Sequence, residues 1–163
     1  MSVLLTGGAG FIGSHTAVEM IHAGYDVIIA DDLSNASPKV LDRIRTITGV
    51  YPKFYEIDVA DKEKLRQVFS ENTIDGVIHF AGFKCVPESS KIPLSYYRNN
   101  LDTALSVLEV MAIIMAISSR KNFFMGFIPP WVNRGLLCLT PYMTNGGDVL
   151  FPAKKLFFAG MVP

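Results

Sequence analysis

The sequence predicts an α/β fold: the N-terminal half of a doubly wound parallel sheet in strand order 3-2-1-4, followed by an irregular C-terminal tail. Three observations carry this. Short apolar runs alternate four times with helical patterns between Ser2 and Met111. The connections are short, as in right-handed βαβ units whose helices cover both faces of a parallel sheet. The first two strand runs, Ser2–Thr6 and Asp26–Ala30, carry unbroken apolar stretches, the pattern of strands buried on both faces.

Each element has a local reason. Ser2–Thr6 is an apolar run stopped by glycines, and Phe11–Ala23 follows as a helix with Gly24 as its stop. Ile12, His15, Ala17, Val18, Met20 and Ile21 are its expected inner side. Asp26–Ala30 reads as the second strand. Ser37-Pro38 opens a helix to about Ile47, with Pro38 at its first position and Gly49 at its end. Lys53–Ile57 is the third strand, and Asp61 caps a helix to about Ser70 that carries Glu63 and Lys64 in its first turn. Asp75–Phe80 is the fourth strand. Pro93–Met111 is a long helix, with Leu94, Leu101, Leu105, Leu108 and Met111 at helical spacing.

Beyond Met111 the rhythm stops. Residues 1–111 hold 14 acidic and 10 basic residues, whereas 112–163 hold 1 and 5, together with five of the nine prolines. The chain therefore divides into a first domain, 1–111, and a tail, 112–163. Half of the 163 residues are hydrophobic, enough for a sizeable core. Zero formal charge gives no support for nucleic acid or an anionic membrane as partner. The apolar run Val107–Ile117 is broken by Glu109 and is shorter than the roughly 20 residues of a spanning helix. Cys85 and Cys138 fit no metal spacing, and with no signal peptide the simplest compartment is the reducing cytoplasm.

The chemistry begins at Gly7-Gly8-Ala9-Gly10-Phe11-Ile12-Gly13, which contains Gly8-x-Gly10-x-x-Gly13 and Gly7-x-x-Gly10-x-x-Gly13. A glycine string alone is weak evidence. Between a predicted strand and a predicted helix it is the dinucleotide fingerprint of a Rossmann-type fold. The glycines allow a tight turn and a close backbone approach, and the helix N-terminus holds a pyrophosphate. A plain glycine turn is the bland alternative. Asp31 ends the second strand, eighteen positions after Gly13, where a carboxylate can accept from an adenosine ribose. It would repel a 2′-phosphate, and no Arg or Lys follows before Lys39, so the expected cofactor is NAD rather than NADP. Asp32 could substitute for Asp31, and either could be a mere turn residue. Asp58 stands at the same sheet edge, where it could meet the adenine amino group with Val59 offering its backbone, or simply cap the next helix. The fourth strand ends His79-Phe80-Ala81-Gly82, with small residues where the cofactor's middle would cross. His79 itself reads as a packed strand histidine, and Lys84 as a hand for a ribose hydroxyl or phosphate, or a solvated charge.

The segments TGGAGFIGSHTAVEM, DDLSNAS, VIHFAG-x-K and PLSYYRNN, held in order without gaps from Ser2 to Met111, resemble the bacterial UDP-glucose 4-epimerases of the extended short-chain dehydrogenases. The resemblance implies NAD contacts at Phe11, Ile12, Asp31, Asp32, Leu33, Ser34, Asn35, Ala36, Asp58, Val59, Phe80, Ala81, Gly82, Phe83, Lys84 and Asn99. It also implies a nucleotide-sugar substrate, a place in galactose metabolism and dimerisation through helices of this half. The chain has Cys85 and Pro87 where such enzymes read A-V-G-E.

Family members continue with a Ser-rich strand end and a Tyr-x-x-x-Lys pair, the tyrosine taking the sugar 4-hydroxyl proton as NAD takes the hydride. Four positions after the six tyrosines stand Ile29, Tyr55, Val59, Asn100, Leu101 and Gly146, so the pair is absent and no catalytic residue is assigned. Ser118-Ser119 lie near the expected place in the wrong context. The tail is read as a shifted frame or rearranged gene, against a natural short variant or a diverged stretch. In that reading the sheet ends at its fourth strand with an open apolar edge. The chain is thus expected to be a truncated, inactive epimerase. Another NAD-dependent sugar-nucleotide epimerase or dehydratase, or a non-catalytic NAD-binding module, are the alternatives. A P-loop phosphotransferase is excluded, since no Gly-Lys-[Ser/Thr] follows the glycines.

Overall fold

The computed structural model describes residues 1–117 and the strands 124–127, 142–143 and 149–150, with side chains to residue 114. Strands β1 (Ser2–Thr6), β2 (Asp26–Asp31), β3 (Lys53–Glu56) and β4 (Gly76–His79) alternate with helices α1 (Phe11–His22), α2 (Lys39–Thr48) and α3 (Lys62–Glu71). They are followed by a short α4 (Val86–Ser89) and a long α5 (Pro93–Ile117). All strand pairs of the main sheet are parallel, with Thr6 level with Ala30 on one side and His79 on the other. The order 3-2-1-4 is the expected one, and the elements fall within two residues of their expected bounds except at α4 and the end of α5.

Alternate strand residues feed two cores. Val3, Leu5, Val27 and Ile29 pack with Ala17, Leu41 and Ile44 of α1 and α2. Leu4, Ile28, Ala30 and Val77 face the other way, toward Leu65, Val68 and Phe69 of α3 and Val107, Val110 and Met111 of α5. Such two-sided burial is what continuously apolar strands require. The helix ends follow their chemistry. The Asp61 side chain accepts from the Glu63 and Lys64 amides, and Gly49 closes α2 in the left-handed conformation at φ 76°. Pro38 is the cap of α2, one position outside the helix rather than its first residue.

Three expectations are corrected. The leucine stripe of α5 does not face the sheet: Leu94, Leu101, Leu105 and Leu108 are exposed, and only Met111 of that set is buried. The inner face is Thr103, Ser106, Val107, Val110 and Met111. Its hydroxyls are matched, Ser106 Oγ donating to the Ala60 carbonyl at 3.1 Å and Thr103 Oγ1 to that of Asn99 at 2.8 Å. A 3.6-residue period reveals an apolar stripe but not which neighbour covers it. On α1, Ile12 and His15 are exposed rather than inward, and the buried residues are Gly13, Ser14 and Ala17. Third, α5 runs through Met111 without a break, and the sheet does not end at β4. Strand β5 (Phe124–Phe127) pairs in parallel with it, giving the order β3-β2-β1-β4-β5. An edge strand offers a row of unpaired N–H and C=O groups, and an aromatic-rich run has the propensity to take them. Strands β6 (Tyr142–Met143) and β7 (Val149–Leu150) form a separate antiparallel pair.

Candidate functional site

Every strand of the parallel sheet points its C-terminal end to one edge, the place where open α/β sheets bind ligands. At the centre of this edge the glycine loop is interlocked. Gly7 has φ +68°, and its N–H donates to the Ala30 carbonyl at 2.8 Å. A Cβ there would lie 2.5 Å from the Ala81 nitrogen, so the end of β4 sits directly against the loop. A Cβ on Gly13 would lie 2.6 Å from the Gly7 carbonyl oxygen, which is how the first turn of α1 closes down on the loop. Gly10 is the cap of α1 and provides no side-chain cap. The first-turn amides of Phe11, Ile12 and Gly13 therefore have no partner within the helix, and the positive end of α1 opens onto the edge. Phe11 and Ile12 stand exposed beside it.

Asp31 is buried at the end of β2, with Oδ2 accepting from the Ala9 amide at 3.0 Å and Oδ1 from the Leu33 amide at 2.9 Å. Burial pushes its carboxyl above the usual range, and the backbone donors work against that rise. Two oxygens with several lone pairs still have room for further donors. The sequence placed Asp31 correctly at the edge but did not reveal that it also ties down the glycine loop. Asp32 is exposed, and its Oδ1 takes both the amide and the hydroxyl of Ser34, at 3.0 and 2.7 Å. Leu33 adopts φ 57°, and Asn35 and Ala36 complete the turn, the Ala36 amide reaching the Leu33 carbonyl at 3.4 Å. The end of β3 joins this turn through the Ile57 amide on the Asp31 carbonyl, 3.2 Å. Asp58 is exposed and accepts from Ala60 N–H at 2.8 Å. It shapes the bend before α3, while Asp61 caps that helix. Val59 is buried in the core, so only its backbone is offered to the edge.

Beyond β4, the Phe80 amide donates to the Thr6 carbonyl at 2.8 Å, and Ala81 lies under Gly7. Phe83 and Lys84 are exposed. Asn99, on α5, donates through Nδ2 to Asn100 Oδ1 at 3.1 Å, and so reaches this loop by way of its neighbour. Pro87 sits in the first turn of α4, where its missing N–H is not needed. Thus the glycine loop, Asp31 and Ala81 are linked into one edge and Gly82 lies against Asn100, whereas Lys84 is brought by no described contact to any of them. Ser118-Ser119 and Cys138 lie outside the described residues. No group of three or more metal-binding side chains occurs among the described residues, and none of their helices is long and apolar enough to cross a membrane.

Two features escaped the sequence reading. Thr6 Oγ1 and His79 Nδ1 are 2.7 Å apart, fully buried between the ends of β1 and β4. Burial lowers the imidazole pKa to about 4, so His79 is neutral at neutral pH. Asn100 bonds the loop at Phe83. Both pairs join residues distant in sequence, and only their polar identity, in HFAG and YRNN, hinted at them.

An uncapped helix N-terminus behind interlocked glycines, with a carboxylate at the end of the next strand, defines a dinucleotide-binding α/β domain. The model of the NAD dependent epimerase/dehydratase family matches residues 3–125, and the chain belongs to that family. Within it, the chain is 51% identical over 111 residues to the UDP-glucose 4-epimerase of Bacillus subtilis and 54% identical over 112 to that of Neisseria gonorrhoeae. These matches cover 68% and 69% of this chain but 33% of each relative, so the chain spans about a third of their length. The crystal structure of the UDP-glucose 4-epimerase from Bifidobacterium longum, in complex with NAD+ and UDP, is 51% identical. It superposes with a TM-score of 0.68 over 69% of this chain and 33% of that one. The enzyme from Brucella ovis, in complex with NAD, gives 0.63 at 34% identity, over 70% and 33%.

Proposed function

We propose that this chain is the NAD-binding part of a UDP-glucose 4-epimerase and does not itself complete the epimerisation. The observation that carries the reading is the open N-terminus of α1 behind the Gly7–Gly13 interlock. Its donors suit a pyrophosphate, and no side chain of the loop occupies the space in front of them. Asp31, Asp32 and the turn Leu33–Ala36 would receive the adenosine ribose, with Asp58 and the Val59 backbone near the adenine. Phe80 to Lys84 and Asn99 would flank the rest of the cofactor. When bound, NAD supplies the hydride acceptor that a sugar 4-hydroxyl requires. The missing Tyr-x-x-x-Lys supports the view that proton removal is left to residues this chain does not have, with UDP-glucose and UDP-galactose as the substrates of the whole enzyme. The same reading places the chain in galactose metabolism in the cytoplasm; a division at Met111 into a cofactor domain and a rearranged tail is not part of it, because α5 and β5 continue the fold past that residue.

Calorimetric titration tests this. NAD+ should bind, and NADP+ should bind at least about tenfold more weakly, because Asp31 and Asp32 would face a 2′-phosphate. UDP-galactose should not be turned over. Equal affinity for the two cofactors, or none for either, would remove the reading.

The exposed stripe of α5, Leu94, Tyr97, Leu101, Leu105 and Leu108, supports a homodimer packed helix on helix. Sedimentation should give a dimer, and Leu101→Glu should return a monomer with the fold intact. A unaltered chain that sediments as a monomer at all concentrations would refute this.

A further inference from the structure

We propose that Asn100 is a positioning residue of the cofactor site, its carboxamide clamping the backbone of Phe83 and so fixing the loop from Phe80 to Lys84. The inference rests on the NAD-binding reading of this edge. Asn100 Oδ1 accepts from the Phe83 amide at 2.7 Å, and Asn100 Nδ2 donates to the Phe83 carbonyl at 3.0 Å. One side chain thereby satisfies both backbone groups of one loop residue, as a neighbouring strand would.

The loop has little else to hold it. Its start is fixed by the Phe80 amide on the Thr6 carbonyl, and its end by the Ser89 amide on the Cys85 carbonyl where α4 begins. Between these points, among the described residues, the Asn100 pair supplies the hydrogen bonds that join the loop to the rest of the fold. Tyr96 adds an edge-on contact with the Phe83 ring, centroids 5.2 Å apart, and is itself anchored by donating to Glu88 at 2.5 Å. Gly82 fits the same arrangement, since a Cβ there would lie 3.1 Å from Asn100 Oδ1. Asn99 donates to that same oxygen, so the clamp also orients the neighbour expected to face the cofactor.

A loop held in its binding geometry before the ligand arrives has less freedom to lose on binding. Asn100→Leu keeps the volume and removes both bonds. It should weaken NAD+ binding about tenfold and abolish slow exchange of the Phe83 amide proton. Val110→Ala, in the core on the inner face of the same helix, should lower the melting temperature and leave NAD+ affinity unchanged. The proposal is overturned if Asn100→Leu binds NAD+ as the unaltered chain does, or if the Phe83 amide exchanges freely in the unaltered chain. It is also overturned if Val110→Ala loses affinity in step with its melting temperature, since the effect of Asn100 would then be general destabilisation. Failure of the unaltered chain to bind NAD+ would instead remove the reading of the site itself.

Discussion

Gly7→Ala is expected to destabilise the fold by roughly 2–5 kcal/mol and to abolish NAD+ binding. Two costs add. An alanine at φ +68° is strained by its own backbone, at about 1–2 kcal/mol. The methyl must also displace backbone, since the atoms it meets are the Ala81 nitrogen at 2.5 Å and the Phe80 carbonyl carbon at 2.8 Å. Those atoms belong to the end of β4, which is fixed by its ladder to β1, so overpacking adds about 1–3 kcal/mol. Gly24→Ala is the matched control. It has φ +84° with nothing within 4 Å of the new carbon, and should cost only the conformational share. Thermal unfolding of the two variants decides the matter. If Gly7→Ala melts no lower than Gly24→Ala, the loop is not locked against β4 as described.

The second large effect is a pH dependence set by His79. Its imidazole has a pKa of about 4 in the folded chain, lowered from 6.5 by burial. A proton thus binds the unfolded chain more tightly than the folded one. Stability from this group is therefore complete above pH 6.5 and drains away as pH falls toward 4. The difference corresponds to about 3 kcal/mol. His79→Asn should weaken the fold at pH 7 through the lost contact with Thr6, yet flatten the decline between pH 6.5 and 4. Carboxylates also titrate at the low end of this window. Asp61, whose pKa is lowered chiefly by the Lys64 amide at the α3 cap, loses stability in the same direction, and Asp31, raised by burial, works in the opposite one. The decisive quantity is therefore the difference between the two urea-melting curves at each pH. Parallel curves from pH 7 to 4 would show that His79 does not control this slope.

Much of this edge was legible in one dimension because its causes are local. A glycine needs no partner to declare a positive φ, an apolar run ended by glycines declares a buried strand, and Asp61 declares a helix start. Asp31 was placed by counting from the loop, since strand and helix lengths in a βαβ unit vary little. What escaped was decided across distance. Which side of α5 meets the sheet is decided by packing: the Ser106 hydroxyl finds the Ala60 carbonyl only once α5 lies beside the bend before α3, while Thr103 is satisfied by the Asn99 carbonyl of its own helix. Hydrophobicity alone does not separate the exposed leucines of α5 from core residues. The fifth strand escaped for a related reason: Phe124–Phe127 is too short to be recognised alone, and it becomes a strand beside the free edge of β4.

Family, strand order and the loop that would cradle a pyrophosphate follow from the residues in order, because backbone conformation and periodic burial are written residue by residue. The tertiary structure decided how that loop is held. It set Ala81 against Gly7, gave Asp31 the amides of Ala9 and Leu33, joined His79 to Thr6 across 73 positions and brought Asn100 to Phe83 across 17. These contacts are short-range and directional, so they exist only after hydrophobic burial has brought the four strand ends to one edge.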